Sequence, residues 1–155
     1  MKTERRSMLK KFVLSALGFA GLQSVATAKN KSGENHAEVS GVVFDQEVPL
    51  FSASTKLGNL VFIAGQGAHY QGDIKAHTET VLQSLEKELV KAGSSMNNVL
   101  KVTVFLNDIT DYDGMNSVYR GRFGSKPPVR TTVAVTKGGV PGNSLVEMDC
   151  IAYIS

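Results

Sequence analysis

From Ser144 to Ile154 the chain alternates without a break. Val146, Met148, Cys150, Ala152 and Ile154 fall on one parity, and Leu145, Glu147, Asp149, Ile151 and Tyr153 on the other. Successive side chains of a strand point to opposite faces, so this run reads as a strand with one face against a core. A strand needs neighbours to satisfy its backbone groups, and the rest of the sequence supplies them. Fold class therefore turns on how many strands and helices accompany it.

Val39 to Phe44 is short and β-branched. Phe51 to Leu57 and Leu60 to Ala64 flank Gly58-Asn59, a two-residue hairpin turn. Gly65-Gln66-Gly67 is expected to break that run. Asp73 to Ala92 is the clearest helix: Asp73 caps it, Val81, Leu82, Leu85 and Leu89 form its apolar stripe, and Gly93 closes it. Val99 to Leu106 follows as a strand, with Leu100, Val102, Val104 and Leu106 on one side. A second helix is expected from Thr110 to Phe123, packing through Met115, Val118, Tyr119 and Phe123. Pro127-Pro128 stops it and forces extended geometry. Arg130 to Val135 is then a strand, with Thr131, Val133 and Val135 toward the core and Arg130, Thr132 and Ala134 opposite. The order βββ-α-β-α-ββ predicts an α+β fold: one sheet with both helices on one face.

The N-terminal end reads differently. Lys2 to Lys11 is basic, Phe12 to Leu22 apolar, and Ala26-Thr27-Ala28 is a small-x-small cleavage pattern. Residues 1–28 are thus expected to be a signal peptide, with export to a periplasmic or extracellular space. Arg5-Arg6-Ser7-Met8-Leu9-Lys10 resembles the twin-arginine motif, so the export route stays open. The apolar run falls well short of the ~20 residues that span a bilayer, so no stable membrane anchor is expected. Residues 29–38 are polar and aperiodic and read as a flexible leader to a domain over 39–155.

This division changes the meaning of the charge. Of the formal +3, residues 1–28 hold +4 (Lys2, Arg5, Arg6, Lys10 and Lys11 against Glu4), leaving −1 for residues 29–155. Nucleic-acid binding by bulk charge is then not expected. Cys150 is the single cysteine, so no internal disulfide forms. It reads as a small core hydrophobe. His36, His69 and His77 show no metal spacing and read as surface residues.

By the assigned parities Arg130 and Glu147 share the face away from the helices. A guanidinium there is a fork for a carboxylate, and a carboxyl group nearby can position water or move a proton. On the bare residues alone, a structural ion pair between them is the favoured reading. Pro128-Val129-Arg130-Thr131-Thr132-Val133 followed by Leu145-Val146-Glu147-Met148 resembles the signature of the RidA/YjgF family of enamine and imine deaminases. The likeness continues through Leu57-Gly58-Asn59, Ala64-Gly65-Gln66, Val102-Thr103-Val104-Phe105-Leu106 and Met115-Asn116-Ser117-Val118-Tyr119. It covers nearly all of residues 39–155.

The resemblance implies a chorismate-mutase-like fold, a homotrimer and clefts between subunits. It implies that Arg130 binds the carboxylate of a 2-imino or 2-oxo acid and that Glu147 handles the attacking water. Thr132 would lend backbone contacts, and Asn116 and Gly65 would line the site. The products would be a 2-oxo acid and ammonium, with no metal or organic cofactor required. Phe51 stands where many members have a substrate-contacting Tyr, and the segment after Gly65 is shorter than usual. Two other functions stay open: non-catalytic binding of small carboxylates, and endoribonuclease activity.

Overall fold

The computed structural model describes residues 36–155. The expected signal peptide and most of the leader lie outside the described residues. β1 (Glu38–Asp45) takes up the last leader position and pairs with β2 (Val48–Leu57), which turns at Gly58 into β3 (Leu60–Gly67). Gly58 has φ +60, the left-handed value a glycine holds without steric cost. Then come α1 (Ile74–Lys91), β4 (Val99–Leu106), α2 (Tyr112–Tyr119), β5 (Val129–Ala134) and β6 (Val146–Tyr153).

The six strands form one sheet in the order β1-β2-β3-β6-β4-β5. Every neighbouring pair is antiparallel except β4 and β5, which run parallel. Parallel neighbours need a crossover, and α2 provides it. α1 makes the other crossover, carrying the chain over β6 from β3 to β4. Both helices pack on one face, as the sequence predicts.

Local chemistry fixes the long helix. Asp73 accepts the Ala76 N–H at 2.8 Å, and Gly93 ends the helix at φ +83. Val81, Leu82, Leu85 and Leu89 are fully buried against Val61, Ile63, Val102, Val104, Met148, Cys150 and Ala152. The alternation of β6 holds throughout: Val146, Met148, Cys150 and Ala152 are buried, and the residues between them are half-exposed.

Elsewhere the structure corrects the sequence reading. β3 does not stop at Gly65. It runs to Gly67 with an extra residue between Ile63 and Gln66, a bulge that absorbs the glycines. A second irregularity between Val99 and Lys101 flips the parity of β4. Val99, 5% exposed, takes the core position expected for Leu100, which is 45% exposed.

The second helix is shorter than expected. A 3₁₀ turn at Ile109–Asp111 leads into it, and it ends at Tyr119, where Arg120 turns extended (ψ 129) and Gly121 is left-handed (φ +80). Met115 and Tyr119 still reach the core, and Phe123 does so from the turn beyond. His77 is not a surface residue but is 1% exposed. Thr131 and Val133 are exposed rather than buried, a reversal that bears directly on the site.

Candidate active site

β5 is an edge strand, and its parallel register settles where Arg130 points. Val102 pairs with Arg130, Val104 with Thr132 and Leu106 with Ala134. Laterally paired residues share a face. Val102, Val104 and Leu106 are fully buried under the helices, so Arg130 and Thr132 belong to the helix side. There α2 meets the guanidinium. Nη1 donates to Asn116 Oδ1 at 2.8 Å and Nη2 to the Tyr112 hydroxyl at 3.2 Å. Cζ lies 4.7 Å from the Tyr119 ring centroid and 5.7 Å from that of Tyr112.

These partners are neutral. Among the described residues no carboxylate pairs with Arg130. The aromatic faces and two acceptors hold the cation without cancelling its charge. Two of its five N–H donors are committed to them. Burial pushes the Tyr119 phenol up to about 12, against the opposing pull of Arg130. The Tyr119 hydroxyl and Thr132 Oγ1 are buried without a hydrogen-bond partner. Tyr119 also lines, with Asp113, Asn116, Ser117 and Arg120, a hollow of ≈ 480 Å³.

Glu147 occupies the other face. Its register partners are Gly67 on β3 and Phe105 on β4. Its carboxylate lies against Gly65 in the β3 bulge. A Cβ at Gly65 would overlap Glu147 Oε1 and sit 2.9 Å from Cδ. The glycine is what lets the carboxylate approach the backbone so closely. A hollow of ≈ 260 Å³ lies over Glu147, walled by Phe105, Val135, Gly139, Val140 and Pro141.

The expected co-facing of Arg130 and Glu147 is therefore corrected: within one chain they sit on opposite sides of the sheet. Arg130, Thr132 and Asn116 come together on the helix side, and Glu147 and Gly65 on the open side. Phe51 joins neither cluster. It is 53% exposed on β2, beside Val43 and two strands away from β6. Sequence reasoning missed Tyr112 as a partner of Arg130 and saw Tyr119 only as packing. The signal was present: Tyr112, Asn116 and Tyr119 are spaced four and three apart, one stripe of a helix.

The open face carries apolar residues that no helix covers. Leu57, Phe62 and Val133 are each 40–42% exposed there, alongside Phe51.

Known proteins resemble this chain in sequence and fold. The family described as Endoribonuclease L-PSP matches residues 46–154. A RutC family protein of Pyrococcus abyssi is 39% identical over 123 residues, covering 72% of this chain and 95% of its own. The chloroplastic Reactive Intermediate Deaminase A of Arabidopsis thaliana is 30% identical, covering 67% of this chain and 58% of its own. In crystal structure, RidA from an Antarctic Psychrobacter superposes with TM-score 0.65 at 29% identity, over 74% of this chain and 99% of its own. With one mixed sheet, two helices on one side and these matches along most of its length, the chain belongs to the RidA/YjgF family.

Proposed function

We propose that the protein hydrolyses reactive enamine and imine intermediates, turning 2-imino acids into 2-oxo acids and ammonia. The observation that carries this reading is the Arg130 guanidinium. It is held by neutral groups, stacked on Tyr119, and left without a carboxylate among the described residues. Such a cation suits a small carboxylate as its ligand.

Glu147 cannot reach a molecule held by the Arg130 of its own chain through the sheet. We therefore propose that the site lies between copies in a homotrimer, with the uncovered apolar face buried on assembly. The carboxylate would bind Arg130 of one copy, placing the C=N carbon before Glu147 of the next. Glu147 takes a proton from water as the oxygen attacks that carbon. It passes that proton to the nitrogen, giving a carbinolamine. The proton of the new hydroxyl then follows to the nitrogen by way of Glu147, so that the C–N bond breaks, ammonia leaves and the C=O forms.

Ammonium release from an amino-acid oxidase reaction tests this. The protein should speed it, and Arg130→Ala and Glu147→Gln should each abolish the gain, the first at a cost of about 2–5 kcal/mol. Co-refolding the two inactive variants should restore part of the activity, because a mixed trimer rebuilds intact sites at some interfaces. No gain from the wild type over oxidase alone defeats the deaminase reading. No recovery on mixing defeats the shared site.

The missing hydroxyl at Phe51 favours one second reading, a binder of small carboxylates without turnover. In that case 2-oxo acids raise Tm through Arg130, and Glu147→Gln changes nothing. RNA cleavage is disfavoured by the net −1 over residues 29–155, which supplies no excess of cations for a phosphate backbone. We further propose export directed by residues 1–28. Mass spectrometry finding a mature chain that starts at Lys29 tests it.

A further inference from the structure

His77 is the buried titratable group that this chemistry does not use. It sits in the first turn of α1, and both ring nitrogens are engaged. Nε2 lies 3.0 Å from the Tyr70 carbonyl oxygen, and the Leu145 N–H meets Nδ1 at 3.0 Å. A carbonyl can only accept and an amide can only donate. The partners therefore assign one tautomer: Nε2 carries the proton and Nδ1 is the bare acceptor. The ring is fixed in place as well. The Tyr70 ring lies 4.9 Å away, centroid to centroid, and a Cβ at Gly72 would come within 3.0 Å of His77 Cδ2.

Leu145 stands just before the first ladder residue of β6, two positions ahead of Glu147. The turn that delivers it, Pro141–Asn143, holds left-handed residues at Gly142 (φ +67) and Asn143 (φ +59). Side chains and backbone then pin the strand's entry from several sides. Ser144 Oγ accepts the Ala68 N–H at 2.9 Å and donates to the Val146 carbonyl at 2.6 Å. The Leu145 carbonyl accepts the Asn107 N–H at 3.0 Å. The remaining polar group of Leu145, its N–H, is the one that His77 takes. The Glu147 carboxylate lies close against Gly65, so a shift in this entry moves the backbone that carries it relative to that contact.

We propose that His77 is a positioning residue for Glu147, acting through the Leu145 N–H. The proposal rests on the deaminase reading above. His77→Leu removes both hydrogen bonds and keeps bulk. His77→Gln can donate to Tyr70 and accept from Leu145. His77→Asn keeps an acceptor near the place of Nδ1 and gives up Tyr70. In the oxidase-coupled assay His77→Leu should lower kcat by up to about 100-fold, the scale of a misplaced catalytic group, with KM changed less than about twofold. His77→Gln and His77→Asn should stay within about threefold of wild type, although His77→Asn loses stability.

Leu145 amide exchange should accelerate in His77→Leu alone. Wild-type kcat in a His77→Leu protein whose Leu145 exchanges fast overturns the proposal. So does a kcat loss in His77→Asn while Leu145 stays protected, and that comparison serves if His77→Leu does not fold. If wild type shows no turnover, the functional reading fails by itself. The positioning is then read from the Glu147 carboxyl ¹³C resonance, which His77→Leu must shift and His77→Gln must not.

Discussion

β6 and β5 lie one strand apart in the same sheet, yet they answer differently to the same sequence rule. β6 has β3 and β4 on either side and α1 across one face, so one face is dry and the other is wet. Its side chains alternate between buried and half-exposed along its whole length. β5 is the outermost strand, with Val129 at 70% and Val133 at 42% exposure. Its inward side is filled by a cation rather than by a hydrophobe. Alternation reports direction only where one face excludes water. At an edge it reports strand and nothing more.

The largest expected effect breaks or upholds this contrast directly. Met148→Ala removes a fully buried side chain from the centre of β6. It should cost about 2–5 kcal/mol in denaturant unfolding. Val129→Ala on β5 should stay within about 0.5 kcal/mol, as exposed substitutions do. A loss at Val129 approaching that at Met148 would mean that the edge strand is as dry as the centre.

What the sequence disclosed follows the same boundary. The long helix was readable to within a residue, because Asp73, the Leu82–Leu85–Leu89 stripe and Gly93 all agree. The family resemblance put Asn116 and Gly65 in one site with Arg130 and Glu147; in the fold Asn116 lies beside Arg130 and Gly65 beside Glu147, on opposite faces of the sheet. The facing of Arg130 was not legible. Thr131 and Val133 look like core residues by type, and only the parallel register with β4 shows otherwise. Nor was the burial of His77 legible, since both of its partners are backbone groups, which carry no sequence signal. The two bulges changed parity at Leu100 and past Ile63 for the same reason: an inserted residue leaves no mark in composition.

The next effect separates the chemistry from the fold at the junction of β3 and β6. Gly65 does not hold a left-handed φ, so its backbone tolerates alanine. The added methyl would displace the end of the Glu147 side chain, which is flexible, rather than backbone. Stability should change little, or rise by a few tenths of a kcal/mol as the unfolded chain loses freedom. Under the proposed mechanism turnover should fall by about 100-fold, because a carboxylate displaced by an ångström would no longer meet the water assigned to it. Thermal melting and ammonium release on one sample measure both. Equal losses in the two would mean that Gly65 serves packing alone.

The smallest effect returns to the dry face of β6 and uses its thiol as the probe. Burial, with a smaller contribution from Asp149, pushes Cys150 up to about 12. An unfolded cysteine ionises at roughly 8.5. Below that value both states hold the proton and Cys150 leaves stability unchanged. Between the two values the unfolded chain gives up its proton while the native chain keeps it, so unfolding gains ground as pH rises. One pH unit into this window should cost up to about 1.4 kcal/mol, and Cys150→Ala should flatten that part of the curve. The same burial should make alkylation of the native thiol track global unfolding rather than exposure. A thiol that reacts in the folded protein at the rate of a free cysteine would show that water reaches the face which the alternation of β6 says is dry.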